Sequence, residues 1–293
     1  MKDIDFNWIN SIPDNYFSDT LKRISDIKEK INSKNTHKEL VEFTEYLDLT
    51  SLNDIDTTSK ILELYQTASH PLISLETTVA SVCVYPKYVL LCKNLKGNIP
   101  ITTVDTSFPH GKLPLDISIK GIENSIINGA HEIDIVVDRA NIIEKNWQEL
   151  YQEIKAKRDC ITSIGSKLGQ KVCMKTIISV GDIQDSLLIY IASYIAMMAG
   201  TDFVKSSTGK EPKSTDPPTA YAMLKAIKDF YNNTGIEVGF KVAGGVKTVP
   251  QAALYKAMVV DILGNEWLNR TKFRIGASSL LEDIRKCLLE AKN

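Results

Sequence analysis

The chain is poor in the features that mark a membrane protein, a disulfide scaffold or a nucleic-acid surface. Nowhere do eighteen apolar residues follow one another, and Met1-Lys2-Asp3-Ile4-Asp5 lacks the basic and apolar regions of a signal peptide. These absences predict a soluble, cytoplasmic protein without a membrane partner. Its five cysteines, Cys83, Cys92, Cys160, Cys173 and Cys287, are odd in number, widely spaced and form no C-x-x-C, which argues against both a disulfide framework and a zinc site. His37, His70, His110 and His131 show no metal-ligand spacing either, so neither metal nor cofactor is expected. With 35 basic and 36 acidic residues the formal net charge is −1, and no global field recruits nucleic acid. Any anion site must be local.

What the chain does have is enough apolar residue, 43% of 293, for one large core of the size common in one-domain α/β barrels. Residues 1–44 are polar, with Ile24, Ile27 and Ile31 at helical spacing, and predict an N-terminal helical extension packed outside the main fold. From residue 45 to 293 short apolar runs alternate with segments of helical period. Candidate strands are Tyr46–Thr50, Val79–Tyr85, Pro100–Thr106, Glu132–Asp138, Lys171–Ser179, Thr201–Ser207, Glu237–Ala243 and Lys272–Gly276. Between them run stripes such as Ile61, Leu64, Tyr65 and Ala68, or Trp147, Leu150, Tyr151 and Ile154. Eight βα units predict a closed (β/α)8 TIM barrel.

Several of these strands carry a charge where a barrel core expects Val, Ile or Leu. Asp48, Asp134, Lys175, Lys205 and Lys241 each sit between residues expected to face the helices, and because neighbouring side chains on a strand face opposite ways, each charge is expected to point into the barrel. One such residue is more often part of a core ion pair than a catalyst. Five converging on one cavity are hard to read as structure alone. A lysine forced into an interior gains from losing its proton, and a neutral amine is a nucleophile, so Lys205 is the candidate for covalent catalysis. Lys241, one strand over, can supply a second ammonium whose like-charge repulsion favours the neutral amine. Asp134 suits proton shuttling, directly or through a water, while Asp48 and Lys175 could hold the network in register. Cys83 is expected to line the barrel as an inert thiol.

Three glycine-rich turns follow the last three strands: Ser207-Thr208-Gly209-Lys210, Ala243-Gly244-Gly245 and Gly276-Ala277-Ser278-Ser279. Their backbone N–H groups, with nearby helix N-termini, predict a phosphate site. The implied ligand is a carbonyl compound with a terminal phosphate. Asp105 leaves two readings open. It shares parity with Thr103 and Ser107, so it either joins the luminal charges or caps the turn after its strand.

Asp202-Phe203-Val204-Lys205-Ser206-Ser207-Thr208-Gly209-Lys210, Val238-Gly239-Phe240-Lys241-Val242-Ala243-Gly244-Gly245, Glu132-Ile133-Asp134-Ile135 and Phe273-Arg274-Ile275-Gly276-Ala277-Ser278-Ser279 together resemble the deoxyribose-phosphate aldolase family. The resemblance extends over about residues 45 to 290 and leans toward the eukaryotic branch. It implies metal-free class I aldol chemistry in a (β/α)8 barrel, with 2-deoxyribose 5-phosphate cleaved to acetaldehyde and glyceraldehyde 3-phosphate. Lys205 matches the Schiff-base lysine, Lys241 the lysine that perturbs it, and Asp134 the carboxylate of the proton relay. Gly209, Gly244, Gly245, Gly276, Ser278 and Ser279 match positions around the phosphate, Lys210 beside them is a further candidate, and the family implies a homodimer. Two positions depart from the family pattern: Val242 stands for a proline, and Val180-Gly181-Asp182 for Thr-Gly-Glu. A weakened barrel serving as a scaffold, or a class I aldolase for another phosphorylated sugar, are the alternatives.

Overall fold

A computed structural model describes residues 4–31, 35–72 and 76–290. Eight parallel strands close into a barrel in sequence order. They are β1 (Leu47–Thr50), β2 (Ser81–Val84), β3 (Ile101–Val104), β4 (Glu132–Val136), β5 (Cys173–Ile177), β6 (Phe203–Lys205), β7 (Gly239–Ala243) and β8 (Phe273–Ala277). The helices that precede and separate the first four strands are α1 (Thr20–Glu29), α2 (His37–Glu45), α3 (Thr58–Ser69), α4 (Val89–Lys93) and α5 (Leu115–Ile127). After β4 come α6 (Arg139–Ile143), α7 (Trp147–Lys167), α8 (Val180–Ile183), α9 (Ser186–Met198), α10 (Pro217–Thr234), α11 (Val249–Ile262) and α12 (Leu280–Glu290). Each strand falls where the alternation of apolar runs places it. Most are shorter than expected because the flanking residues do other work. Asp138 caps α6 by accepting the Ala140 N–H at 2.9 Å, and Ser179 sits at φ 60°, in the left-handed region, where the ladder cannot continue.

The two faces of the barrel wall differ in chemistry. Leu47, Leu49, Val82, Ile133, Ile135, Met174, Val204, Phe240, Val242, Phe273 and Ile275 are buried against the helices and form the main core, while residues of the other parity fill the lumen. Val242 thus occupies a helix-facing position, away from the reacting groups.

The N-terminal helices share this core. Helix α1 lies against α10 and α11, and α2 lies against α12. Ile24, Ile27, Leu40 and Phe43 are buried in the same apolar cluster as the barrel wall. Thr36 and Glu39 form a reciprocal capping box that fixes where α2 starts. Ahead of α1, Tyr16 donates to Asp229 on α10, which also accepts from Tyr190 on α9 at 3.0 Å. Phe43 is fully buried, so Phe43→Ala is expected to cost about 3–5 kcal/mol, read as a lowered urea midpoint. A loss under about 1 kcal/mol would show that α2 merely adheres to the barrel.

Candidate active site

The lumen holds a continuous network of charge. Asp134 Oδ2 accepts from Lys205 Nζ at 2.7 Å and from Lys241 Nζ at 2.8 Å, while its Oδ1 accepts from Lys175 at 3.1 Å. Lys241 also lies 2.5 Å from Asp48 Oδ2. Barrel register produces this convergence. Lys205 is the Cα partner of Lys241 across β6 and β7, and Asp134 is that of Lys175 across β4 and β5. Beneath these groups Arg274 pairs with Asp48 and, at 2.8 Å, with Glu132, whose other oxygen meets Lys175. Thr102 Oγ1 completes the lower layer, 2.6 Å from Glu132 Oε2 and 3.2 Å from Lys175 Nζ.

None of these groups is more than 5% exposed except Glu132 at 6%, so each depends on its partners for the solvation it has lost. Burial alone would raise the Asp134 carboxyl, but Lys175, Lys205 and Lys241 outweigh it and hold the group below the usual carboxylate range. Asp48 is likewise held low against burial by Arg274, Lys241 and Lys175, and Glu132 by Lys175 and Arg274. The cations respond in the opposite sense. Burial would lower Lys241, yet Asp134 and Asp48 raise it above the ordinary lysine value, and Lys175 is raised by Asp134, Glu132 and Asp48. Lys175 and Lys241 are therefore fixed ammonium groups.

At the C-terminal end of the barrel the lumen opens into a cavity of about 220 Å³ whose wall includes Lys205, Gly209, Lys210, Gly244, Gly245, Gly276, Ser278 and Ser279. That is below the roughly 300–1,000 Å³ typical of drug-sized ligands and suits a smaller molecule. Larger grooves lie outside the barrel, against α1 and α3, but no charges converge in them as they do in the lumen. Among the described residues, the N–H groups of Gly244, Gly245, Val246, Ser278 and Ser279 donate to no protein acceptor. They line one side of the mouth, with Ser278 and Ser279 directly before α12 and the Lys247 side chain nearby. This is the composition of an anion cradle. The turn after β6 differs: α10 begins only at Pro217, and the Gly209 N–H is already engaged by Ser207 Oγ at 2.9 Å and Glu211 Oε2 at 3.0 Å.

Residues 44–286 match the DeoC/LacD family of aldolases. Deoxyribose-phosphate aldolases of Mus musculus and Homo sapiens are each 36% identical over 300 residues, covering 97% of this chain and 92% of theirs. The chain belongs to the DeoC/LacD aldolase family. Among solved structures, the tetrameric deoxyribose phosphate aldolase from Aeropyrum pernix superposes with a TM-score of 0.63 at 20% identity, over 93% of this chain and 98% of that one, which supports the fold.

Within this aldolase barrel one expected site residue lies elsewhere. Asp105 is buried but outside the lumen, because Thr102 and Val104 take the luminal parity of β3 and turn the odd-numbered residues toward the helices. Its carboxylate accepts from Ser107 Oγ at 2.9 Å and from Lys157 Nζ of α7 at 3.2 Å, while its carbonyl accepts the Phe108 N–H. The turn-capping reading is the correct one, joined by a buried ion pair. Cys83 does line the lumen, beside Leu52 and Val104, and burial pushes its thiol up, which keeps it protonated and unreactive. In Val180-Gly181-Asp182 the shared glycine is required, since a Cβ at Gly181 would meet the Lys213 carbonyl at 2.1 Å, and Asp182 pairs with Arg139 at 2.6 Å. Glu132, Arg274 and Thr102 were not among the expected site residues. The parity argument that found Asp134 applies unchanged to Glu132 two residues earlier, and Arg274 has the same apolar flanks as Lys241.

The depressed carboxylates fix the acid limit of the fold. Asp48, Glu132 and Asp134 stay ionised when folded but take up protons near pH 4 when unfolded, so the unfolded state gains as pH falls through that range. The urea midpoint is expected to be level near neutrality and to drop steeply below about pH 4. A midpoint unchanged down to about pH 3 would show that these carboxylates are not paired in solution.

Proposed function

We propose that this family member cleaves 2-deoxyribose 5-phosphate reversibly to acetaldehyde and glyceraldehyde 3-phosphate through an imine on Lys205. The observation that carries the reading is the convergence of Lys205 and Lys241 on a single oxygen of Asp134. Of the two lysines, Lys205 lines the open cavity and Lys241 is fully buried with two carboxylates. That division makes Lys205 the nucleophile and Lys241 the permanent ammonium. Four cations face three carboxylates in the lumen, namely Lys175, Lys205, Lys241 and Arg274 against Asp48, Glu132 and Asp134, so a neutral Lys205 leaves the network in charge balance.

In the cleavage direction the Lys205 amine adds to the C1 aldehyde, and loss of water from the carbinolamine gives the protonated imine. Removal of the C3 hydroxyl proton releases its electrons into a new carbonyl. The C2–C3 bond breaks and its pair moves onto the imine as an enamine. Asp134, bonded to both Lys205 and Lys241, is placed to orient a water that relays these protons. Protonation of the enamine carbon and addition of water then free acetaldehyde. Asp48 and Lys175 hold Lys241 and Asp134 in place. The free amides of Gly244, Gly245, Ser278 and Ser279, with Lys210 and Gly276 on the same cavity wall, support phosphate binding at the mouth. No metal or cofactor enters the scheme. The five unpaired cysteines suit a reducing cytoplasm, and a homodimer is our assignment for the assembly, which light scattering giving any mass other than twice the chain's would refute.

A coupled assay should detect glyceraldehyde 3-phosphate from 2-deoxyribose 5-phosphate; activity confined to a different phosphorylated sugar would redirect the substrate, and no activity with either would leave a scaffold. With substrate present, borohydride is expected to add mass to the peptide containing Lys205. Label on the Lys241 peptide instead would reverse the two roles. Lys241→Leu is expected to lower kcat/KM by about a hundredfold or more at neutral pH and to move the optimum to higher pH. A variant profile of the parent's shape and position would remove Lys241 from the electrostatics of the reaction.

A further inference from the structure

The turn after β6 contains a charge that the reaction does not use. Glu211 is half-buried behind the turn, away from the cavity that Thr208, Gly209 and Lys210 line. Its Oε1 accepts the Thr208 N–H at 2.8 Å, and its Oε2 accepts the Gly209 N–H at 3.0 Å and the Ser207 hydroxyl. The Lys210 N–H is held by Thr208 Oγ1 at 3.1 Å. Every amide from Thr208 to Lys210 is thereby engaged inside the turn, and none is left over for a ligand. What the turn presents to the cavity is side chain: the Thr208 hydroxyl and the exposed Lys210.

A carboxylate this close to an anion site would repel a phosphate unless its charge were absorbed, and three donors absorb it. Against burial, the Ser207 hydroxyl and the Thr208 amide hold Glu211 below its ordinary value, so it stays ionised at working pH. The turn needs such an anchor. The ends of the segment are tied to β7, with the Ser206 N–H on the Lys241 carbonyl at 3.0 Å and the Thr215 hydroxyl on the Ala243 carbonyl at 2.6 Å, but no strand or helix runs between Lys205 and Pro217 to hold Lys210. From behind, the Glu211 Cβ fills the space beside Gly181, where a Cβ on that glycine would approach it to 3.0 Å.

We propose that Glu211 is a positioning residue for phosphate recognition: its carboxylate fixes the Ser207–Lys210 turn so that Thr208 and Lys210 face the free amides of Gly244, Gly245 and Ser278 across the mouth. The preference for a phosphorylated over an unphosphorylated sugar then depends on a residue that touches neither. This rests on the proposed aldolase reaction for its substrate, but phosphate binding can be read without it.

The test compares the full-length chain with Glu211→Ala and Glu211→Gln, using 2-deoxyribose 5-phosphate, 2-deoxyribose, and inorganic phosphate titrated calorimetrically. In Glu211→Ala, kcat/KM for the phosphorylated sugar is expected to fall about tenfold more than for the unphosphorylated one, with the phosphate Kd rising by a similar factor. Glu211→Gln, which keeps one acceptor but puts an N–H2 among donors, should lie between and serves if the alanine variant does not fold. Equal losses on both sugars would overturn the inference by making Glu211 a support of Lys205. Tighter phosphate binding in the alanine variant would also overturn it, showing that the carboxylate competes with the ligand for the same amides. If the parent cleaves neither sugar, the reaction fails as a reading, and the phosphate Kd values of parent and variants still decide the role of Glu211.

Discussion

The two oxygens of Asp134 hold three lysine nitrogens in the buried lumen, and much of the barrel interior is arranged to make that arrangement tolerable. A buried charge deprived of one partner costs several kcal/mol, so Asp48, Glu132 and Arg274 are as necessary to the cluster as the lysines above them. The cluster in turn constrains the sheet. A slip of one residue in any of these strands would send its charge outward among the helices and an apolar side chain into the network. Electrostatics and strand register therefore specify each other. The same groups that permit the chemistry also penalise alternative pairings of the strands.

Alternation within strands made most of the luminal cluster legible from the chain alone. Asp48, Asp134, Lys175, Lys205 and Lys241 all lie where parity puts them, because a strand has only two faces and the apolar residues identify the outer one. The same rule reached its limit at Asp105, one residue past the end of β3, where the backbone leaves the ladder and parity no longer names a face. Its partner Lys157 comes from α7, a long-range pairing that no local pattern contains. Glu211 was illegible for a similar reason. Carboxylates in turns are ordinary, and only the folded path of Ser207 to Lys210 shows three donors aimed at this one. Glycine content located the rim turns, but not which amides were already engaged.

The barrel divides its labour along its axis. Charged side chains, paired and buried, occupy the middle, whereas unpaired backbone amides occupy the rim. The middle suits the covalent step proposed for Lys205 because burial keeps bulk solvent from it, and the rim can exchange an anion with solvent because it is open. Lys205 is the one luminal lysine that lines the open cavity, and this places it at the boundary between the two regimes.

The lower end of the barrel has a consequence for traffic. Phe203 lies across the position that a Cβ on Gly239 would need, with its ring atoms within 2.7 Å of that point, and the Arg274 guanidinium lies 5.7 Å from the ring centroid. The lumen is thus a cul-de-sac. Whatever enters past the rim must leave by the way it came, and Lys205 lies deeper than the rim amides. Departure is ordered like a queue in a closed corridor, with whatever is nearest the door going first and whatever is seated at Lys205 waiting behind it.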